Sequence, residues 1–270
     1  MNTRPDIKGL SDLMARLRSP GGCPWDREQT LASLVPYIIE EAYEVVSAID
    51  GGSPEAIRDE LGDLLFQVVF ASRLAEEKGW FTLGDVIDGN TEKMVRRHPH
   101  VFGSESAETP EEVLGHWHRI KEGEKKAAGP EGALGGVPDA LPALLRAHKV
   151  TQKAARAGFD WQDVADVLGK VAEEMEEFRE AAEKKDAAAM EEELGDLLFT
   201  IVNVARFVEV NPEEALRKTI GKFITRFHHV ERTLEGRGQD LSTASMDDME
   251  RLWEDAKKLT NKKIKESESL

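Results

Sequence analysis

The feature of this sequence that most constrains its fold is an internal repeat. Residues 40–44, Glu-Glu-Ala-Tyr-Glu, recur as residues 173–177, Glu-Glu-Met-Glu-Glu. Residues 60–66, Glu-Leu-Gly-Asp-Leu-Leu-Phe, recur unchanged as residues 193–199. Both pairs are offset by 133 residues, so the stretch between the two motifs has the same length in each copy. A chain that repeats itself in this way folds as similar units in tandem.

Two further blocks repeat in the same order along the chain. In the first, four residues recur at an offset of 129: Lys93, Arg97, His100 and Val101 align with Lys222, Arg226, His229 and Val230. The second block aligns Trp117 and Lys121 with Trp253 and Lys257. Residues 123–142, between the copies, are rich in Gly, Ala and Pro and lack hydrophobic periodicity, which is typical of a linker. We therefore predict an N-terminal unit at residues 1–125 and a C-terminal unit at residues 136–270.

The hydrophobic pattern of both units is helical. In the N-terminal unit it predicts a helix over residues 30–49 and a second helix that ends near residue 77. Ser53 would cap the second helix and Pro54 would be its first residue. The C-terminal unit has three predicted helices with similar start signals, at residues 163–184, 187–208 and 211–236. Thr109 to Glu112 has the pattern of a capping box. No stretch shows strand alternation, so we predict an all-α fold of two tandem helical-bundle units with about four helices each.

Charge and cysteine content exclude several classes of protein. The chain has 36 basic and 52 acidic side chains and a net charge of -16, which argues against a sequence-independent grip on nucleic acid. Cys23 is the single cysteine, so no intramolecular disulfide can form. No apolar stretch is long enough to span a bilayer, and the N-terminus lacks the pattern of a signal peptide. We expect a cytoplasmic protein without a membrane partner.

Acidic residues at helical spacing are the main candidates for a functional site. Glu174 and Glu177 share one helix face, with Glu173 beside them, and Glu193 and Asp196 share a face of the next helix. If the two helices pack antiparallel, these carboxylates converge and repel one another at close range. A bound cation removes that repulsion, and all-oxygen ligation selects Mg²⁺ or Mn²⁺.

Other interpretations of the acidic residues stay open. Most Glu and Asp side chains lie on solvated helix faces, and each of these residues taken alone fits that description. The identical spacing in both copies favours a metal site instead. A di-iron bundle would also use carboxylates, but its Glu-x-x-His pairs are missing. Zinc is disfavoured because no Cys or His cluster has the required spacing.

The third block supplies positive charge for binding phosphate. Lys222 and Arg226 are one helical turn apart and could hold phosphate oxygens, as could Lys93 and Arg97 in the first copy. Alternatively, these cations form ion pairs with the acids of the two motifs or lie on a solvated face. Trp253 could stack on a base, but core packing is the favoured interpretation of this residue.

In combination these motifs resemble the MazG type of all-α nucleoside triphosphate pyrophosphohydrolases. The resemblance rests on the Glu-Glu-x-x-Glu and Glu-x-x-Asp motifs in both copies and on three further segments, which are Cys-Pro-Trp-Asp at 23–26, Arg-His-Pro-His-Val-Phe-Gly at 97–103 and Gly-Phe-Asp-Trp at 158–161. It covers nearly the whole chain. It implies a helical homodimer that hydrolyses NTPs and dNTPs to the monophosphate and pyrophosphate with Mg²⁺.

The resemblance also implies roles for individual residues. In that family the metal ligands are the second and third Glu of the first motif and the Glu and Asp of the second. Here those ligands are Glu174, Glu177, Glu193 and Asp196, and in the first copy Glu41, Glu44, Glu60 and Asp63. Cleavage at the α-phosphorus is likewise implied by the resemblance. On chemical grounds we expect a metal-held water to attack there and a spare carboxylate, Glu173 or Glu192, to take its proton.

We expect the C-terminal unit to be the principal active site. Asn203 and Lys170 lie on the same helices as the acids and could contact substrate, whereas the aligned residues of the first copy are Phe70 and Tyr37. Two alternatives belong to other classes of protein. One is a non-catalytic helical scaffold or regulator that binds nucleotide, and the other is a carboxylate-bridged redox metalloprotein.

Overall fold

The computed structural model describes residues 6–128 and 132–267, and every regular element in these ranges is an α-helix. The all-α prediction is therefore confirmed. The chain divides into two compact units, Met1–Ala128 and Gly129–Leu270. Within the described ranges, no helix combines the length and apolar character needed to cross a membrane.

Both units contain more helices than the sequence predicts. The first has α1 (Ile7–Leu17), α2 (Pro24–Glu28), α3 (Leu31–Gly51), α4 (Pro54–Glu77), α5 (Leu83–Arg97), α6 (Pro99–Phe102) and α7 (Pro110–Ala128). The second has α8 (Ala143–Arg156), α9 (Val164–Lys184), α10 (Ala187–Phe207), α11 (Pro212–Gly236) and α12 (Met246–Ser267). The helices predicted by range correspond to α3 and α4 in the first unit and to α9, α10 and α11 in the second, and the predicted cap at Thr109 precedes α7. Of the additional helices, α2 and α6 span about one turn each, which is too short to show a hydrophobic period.

A helical hairpin forms the centre of each unit. Between α3 and α4, Gly52 adopts the left-handed conformation with φ of 69°, and the Ser53 hydroxyl accepts a hydrogen bond from the Ala56 N–H. Between α9 and α10, Lys185 is left-handed and the Asp186 carboxylate accepts from the N–H groups of Ala188 and Ala189. Because each turn is so short, the paired helices run antiparallel and contact each other.

The helix that follows each hairpin packs beside the second carboxylate helix. Helix α5 contacts α4 and α7, and α11 contacts α10 and α12. The cations of α5 and α11 therefore lie on the helix next to the acids. The cap before α7 differs in detail from the predicted capping box. Thr109 accepts from the Glu112 N–H at 3.3 Å, but the Glu112 carboxylate accepts from the N–H of Glu108, one residue before the expected donor.

Separate apolar cores support these helices. In the first unit the buried cluster is Met14, Leu34, Val69, Phe70 and Leu74. In the second unit it is Val230, Leu234 and Leu252, with the partly buried Trp253 packed against it. Phe70 is only 1% exposed, so the residue that replaces Asn203 in the first copy serves the core.

Candidate metal centre and phosphate-binding residues

Each hairpin brings three glutamates together. In the second unit Glu174, Glu177 and Glu193 each place one carboxylate oxygen within 4.8 Å of the other two. In the first unit Glu41, Glu44 and Glu60 do the same. We call these groups the C-terminal and N-terminal carboxylate clusters. An oxygen-only donor set of this size fits Mg²⁺ or Mn²⁺, and Mg²⁺ usually completes its octahedral shell with water and phosphate oxygens.

The fourth predicted ligand of each set lies outside its cluster but near it. Besides burial, the charge of Asp196 contributes to the raised pKa of Glu193, and the charge of Asp63 contributes to the raised pKa of Glu41. Each aspartate therefore lies near its cluster. Burial is the main cause that raises the pKa of both glutamates, and the negative charge of neighbouring acids adds to it. Burial and then Glu44 raise the pKa of Glu60 in the same way. Both clusters therefore hold mutually repelling carboxylates that a divalent cation would stabilise.

A lysine of helix α9, Lys170, contacts the C-terminal cluster. The Nζ atom of Lys170 lies 2.8 Å from carboxylate oxygens of both Glu173 and Glu174, and Glu174 is 5% exposed. The hydrogen bonds that Lys170 donates to Glu173 and then to Glu174 raise the pKa of Lys170, which keeps the amine charged. Tyr37 takes the aligned position in the first unit, where its ring packs edge-on against Trp25 at 5.8 Å between centroids.

A buried amide contacts the N-terminal cluster instead. The Gln67 Nε2 atom donates to Glu41 at 3.5 Å, and Gln67 is 8% exposed. Its Oε1 atom is buried and has no hydrogen-bond partner in the described part of the chain. No Lys or Arg among the described residues pairs with Glu41, Glu44 or Glu60. Gln67 is not among the site residues predicted from the sequence, although its position one helical turn after Asp63 indicates that it shares their face.

The phosphate-binding arginines of the two units also differ. Arg97 forms an ion pair with Glu124 at 2.5 Å and lies over the Trp117 ring at 5.0 Å. The Arg97 hydrogen bond is also the main cause that lowers the pKa of Glu124. In the first copy an acid outside the carboxylate cluster therefore engages the arginine, and phosphate binding by Arg97 stays a prediction.

Arg226, the counterpart of Arg97, has no such acid partner among the residues that the structure describes. Its guanidinium lies over the Trp253 ring at 5.9 Å, and its buried Nε atom has no hydrogen-bond partner within the described ranges. By the alignment of the two tryptophans, the residue that corresponds to Glu124 is Thr260, which carries no carboxylate. Arg226 is therefore the better placed of the two arginines to bind an anion.

The other predicted substrate contacts lie in different environments. Trp253 packs against Phe223 with ring centroids 5.0 Å apart, which leaves core packing as its observed role. Lys222 is exposed and Lys93 is half-buried. The candidate bases Glu173 and Glu192 are both exposed.

Asn203 is buried, with 7% of its surface exposed. Its Oδ1 atom accepts hydrogen bonds from Arg206 at 3.3 and 3.4 Å, and Arg206 in turn donates to Asp160 at 2.9 Å. Asn203 therefore orients an arginine that fastens the loop before α9 to α10. Its contact with substrate stays a prediction.

Comparison with known proteins identifies the family of this chain. Residues 29–102 and 162–231 each match the MazG nucleotide pyrophosphohydrolase domain. The chain belongs to the MazG family. Both carboxylate clusters, Lys170 and both arginines lie inside the two matched segments, whereas Trp253 and Glu124 lie outside them.

Several MazG-family relatives match over most of this chain. The nucleoside triphosphate pyrophosphohydrolase of Escherichia coli K12 is 44% identical over 93% of this chain and 97% of its own length. The nucleoside triphosphate pyrophosphohydrolase/pyrophosphatase MazG of Thermotoga maritima is 44% identical over 92% of this chain and 94% of its own length. The uncharacterized protein YabN of Bacillus subtilis is 46% identical over 93% of this chain, which corresponds to 52% of that longer protein.

Proposed function

We propose that this protein hydrolyses nucleoside triphosphates, both NTPs and dNTPs, to the monophosphate and pyrophosphate with Mg²⁺ or Mn²⁺. The observation that carries the proposal is the second unit, where three glutamate oxygens lie within 4.8 Å of one another beside a helix that presents Arg226 without an acid partner in the described ranges. A metal centre beside a guanidinium group that has no acid partner in the described ranges is suited to binding a triphosphate. The names of the relatives from E. coli and T. maritima support the same activity.

The side chains of the second unit divide into three roles. Glu174, Glu177 and Glu193, joined by Asp196, would hold the metal. Bound there, Mg²⁺ would neutralise triphosphate oxygens and make a water molecule more acidic. A nearby carboxylate, Glu173 or Glu192, would take the proton of the water that attacks the α-phosphorus.

The cations of the second unit would bind the phosphates. Arg226 offers a planar pair of N–H donors, and Lys222 offers a point charge one helical turn before it. As the α-phosphorus bond breaks, negative charge builds on the pyrophosphate that leaves. Fixed cations stabilise that charge more than the charge of the bound substrate, which accelerates the reaction.

Product analysis tests this activity. The protein is incubated with each of the common NTPs and dNTPs and Mg²⁺, and the products are separated by anion-exchange chromatography. We expect equal amounts of monophosphate and pyrophosphate. Nucleotide binding without any product would favour the non-catalytic scaffold instead.

Arg226 and Arg97 form a matched pair for testing the phosphate-binding role. Because Arg226 would stabilise developing charge, Arg226→Gln should lower kcat/KM by about a hundredfold or more. Arg97→Gln should leave kcat/KM within about threefold, since Glu124 already engages Arg97. Steady-state pyrophosphate release measures both variants. Similar losses in the two variants would contradict the assignment.

We also propose that the protein is a homodimer. Large apolar side chains lie exposed on the hairpins of both units, in the first Ile38, Ile39, Leu61, Leu65 and Val68, and in the second Leu194, Leu198, Phe199 and Ile201. Exposed apolar surfaces of this kind on paired helices can be buried against the same surfaces of a second copy. Sedimentation at micromolar concentration should give twice the chain mass of 30.0 kDa. A species of 30.0 kDa would contradict the dimer.

A further inference from the structure

The two carboxylate clusters have opposite surroundings. In the C-terminal cluster an ammonium group contacts one of the three glutamates, while the arginine of the adjacent helix has no acid partner in the described ranges. In the N-terminal cluster no such cation contacts the glutamates within those ranges, while the arginine of the adjacent helix is paired with Glu124. Among the described residues, the first unit thus has glutamates without a cationic partner and an arginine with an acidic one. The second unit has a glutamate paired with a lysine and an arginine without an acidic partner.

We propose that the two clusters bind a divalent cation under different conditions. The N-terminal cluster takes Mg²⁺ or Mn²⁺ by itself, whereas the C-terminal cluster takes the metal tightly only together with a nucleoside triphosphate. The nucleotide-dependent half of this inference rests on the function proposed above. The nucleotide-independent half rests on the N-terminal cluster alone.

Competition for Glu174 accounts for the behaviour of the C-terminal cluster. A metal ion and the Lys170 ammonium compete for the Glu174 carboxylate, because Lys170 Nζ lies 2.8 Å from its Oε1 atom. A metal that binds alone must separate this pair, which weakens its net affinity. A triphosphate offers Lys170 a more highly charged partner and brings oxygens that complete the metal's coordination. Nucleotide and metal therefore bind cooperatively at this cluster.

Among the described residues the N-terminal cluster has no such competitor, and a buried amide side chain lies against it. Gln67 is more than nine-tenths buried and points its amide at Glu41, and its Oε1 atom has no partner in the described part of the chain. A divalent cation, or a water bound to it, would satisfy that oxygen and relieve the repulsion among the three glutamates. Because α3 and α4 each contribute ligands, such a metal would also fasten the hairpin that supports the first core.

Titration with Mn²⁺ in the absence of nucleotide tests the inference. Free Mn²⁺ is measured by electron paramagnetic resonance while the full-length protein is titrated. We expect one tight equivalent per chain, and a second equivalent once the non-hydrolysable α,β-methylene analogue of ATP is added. We expect the second site to bind Mn²⁺ roughly tenfold more weakly when the analogue is absent.

Variants assign each equivalent to its cluster. Glu41→Gln with Glu44→Gln should remove the equivalent that binds without nucleotide. Lys170→Met should let the second equivalent bind without the analogue, whereas Lys170→Arg, which keeps the charge, should behave like the natural protein. Circular dichroism confirms that each variant is folded.

Three outcomes would overturn the inference. These are two tight equivalents in the natural protein without nucleotide, no tight equivalent at all, or a first equivalent that survives the N-terminal double change. The metal titration does not require turnover. A protein that fails to hydrolyse NTPs but binds one Mn²⁺ through Glu41 and Glu44 would therefore disprove the proposed function and leave the N-terminal metal site standing.

Discussion

Replacement of Glu174 and Glu177 by Gln is expected to remove nearly all pyrophosphate release, a loss of about a thousandfold or more. Each substitution keeps the size of the side chain but removes the negative charge that would hold the metal. Glu174 is 5% exposed and is one of the three converging glutamates, so water cannot readily replace it as a ligand.

The matched control is the double change Glu41→Gln and Glu44→Gln in the first unit. The three glutamates of the N-terminal cluster also converge within 4.8 Å, but the arginine beside them is engaged by Glu124 and the residue aligned with Lys170 is Tyr37. We therefore expect this variant to keep most of its activity. Circular dichroism would show whether both variants are folded. If the folded N-terminal variant lost more pyrophosphate release than the C-terminal one, the assignment of the principal site to the second unit would be wrong.

Removal of divalent metal should abolish activity altogether. The candidate centre consists of carboxylate oxygens, and without a divalent cation these acids would repel the triphosphate. Pyrophosphate release should fall to background in excess chelator and return when Mg²⁺ or Mn²⁺ is restored above the chelator concentration. The chelated protein should stay folded, since each unit has its own buried apolar cluster.

Comparison of metals makes this test more specific. Ca²⁺ takes more ligands at longer distances than Mg²⁺, so it should bind but misplace the attacking water and support little turnover. Full activity in excess chelator would disprove the metal mechanism. A strong preference for Zn²⁺ or iron would instead point to a different centre from the one proposed.

The repeated pattern and the local start signals make the fold predictable. Ser53 caps its helix as the sequence indicates, because capping depends on residues within one turn. The convergence of the glutamates is equally predictable, since helical spacing and a short turn determine which carboxylates share a face.

The partners of the charged residues were harder to predict. The Arg97–Glu124 pair joins residues on two different helices, so it depends on how α5 packs against α7. Spacing also suggested that Asn203 faces the substrate, but it could not show that Arg206 engages the amide in a buried position. Tertiary packing, which a periodic pattern does not specify, decides these contacts.

The destination of the oxygen atom from water tests the central claim most directly. The natural protein hydrolyses one NTP with Mg²⁺ in water enriched in ¹⁸O, and the products are analysed by mass spectrometry. Attack on the α-phosphorus predicts that one ¹⁸O atom enters the nucleoside monophosphate and that the pyrophosphate carries none. Label in the pyrophosphate, or in orthophosphate released beside a nucleoside diphosphate, would contradict the proposed reaction.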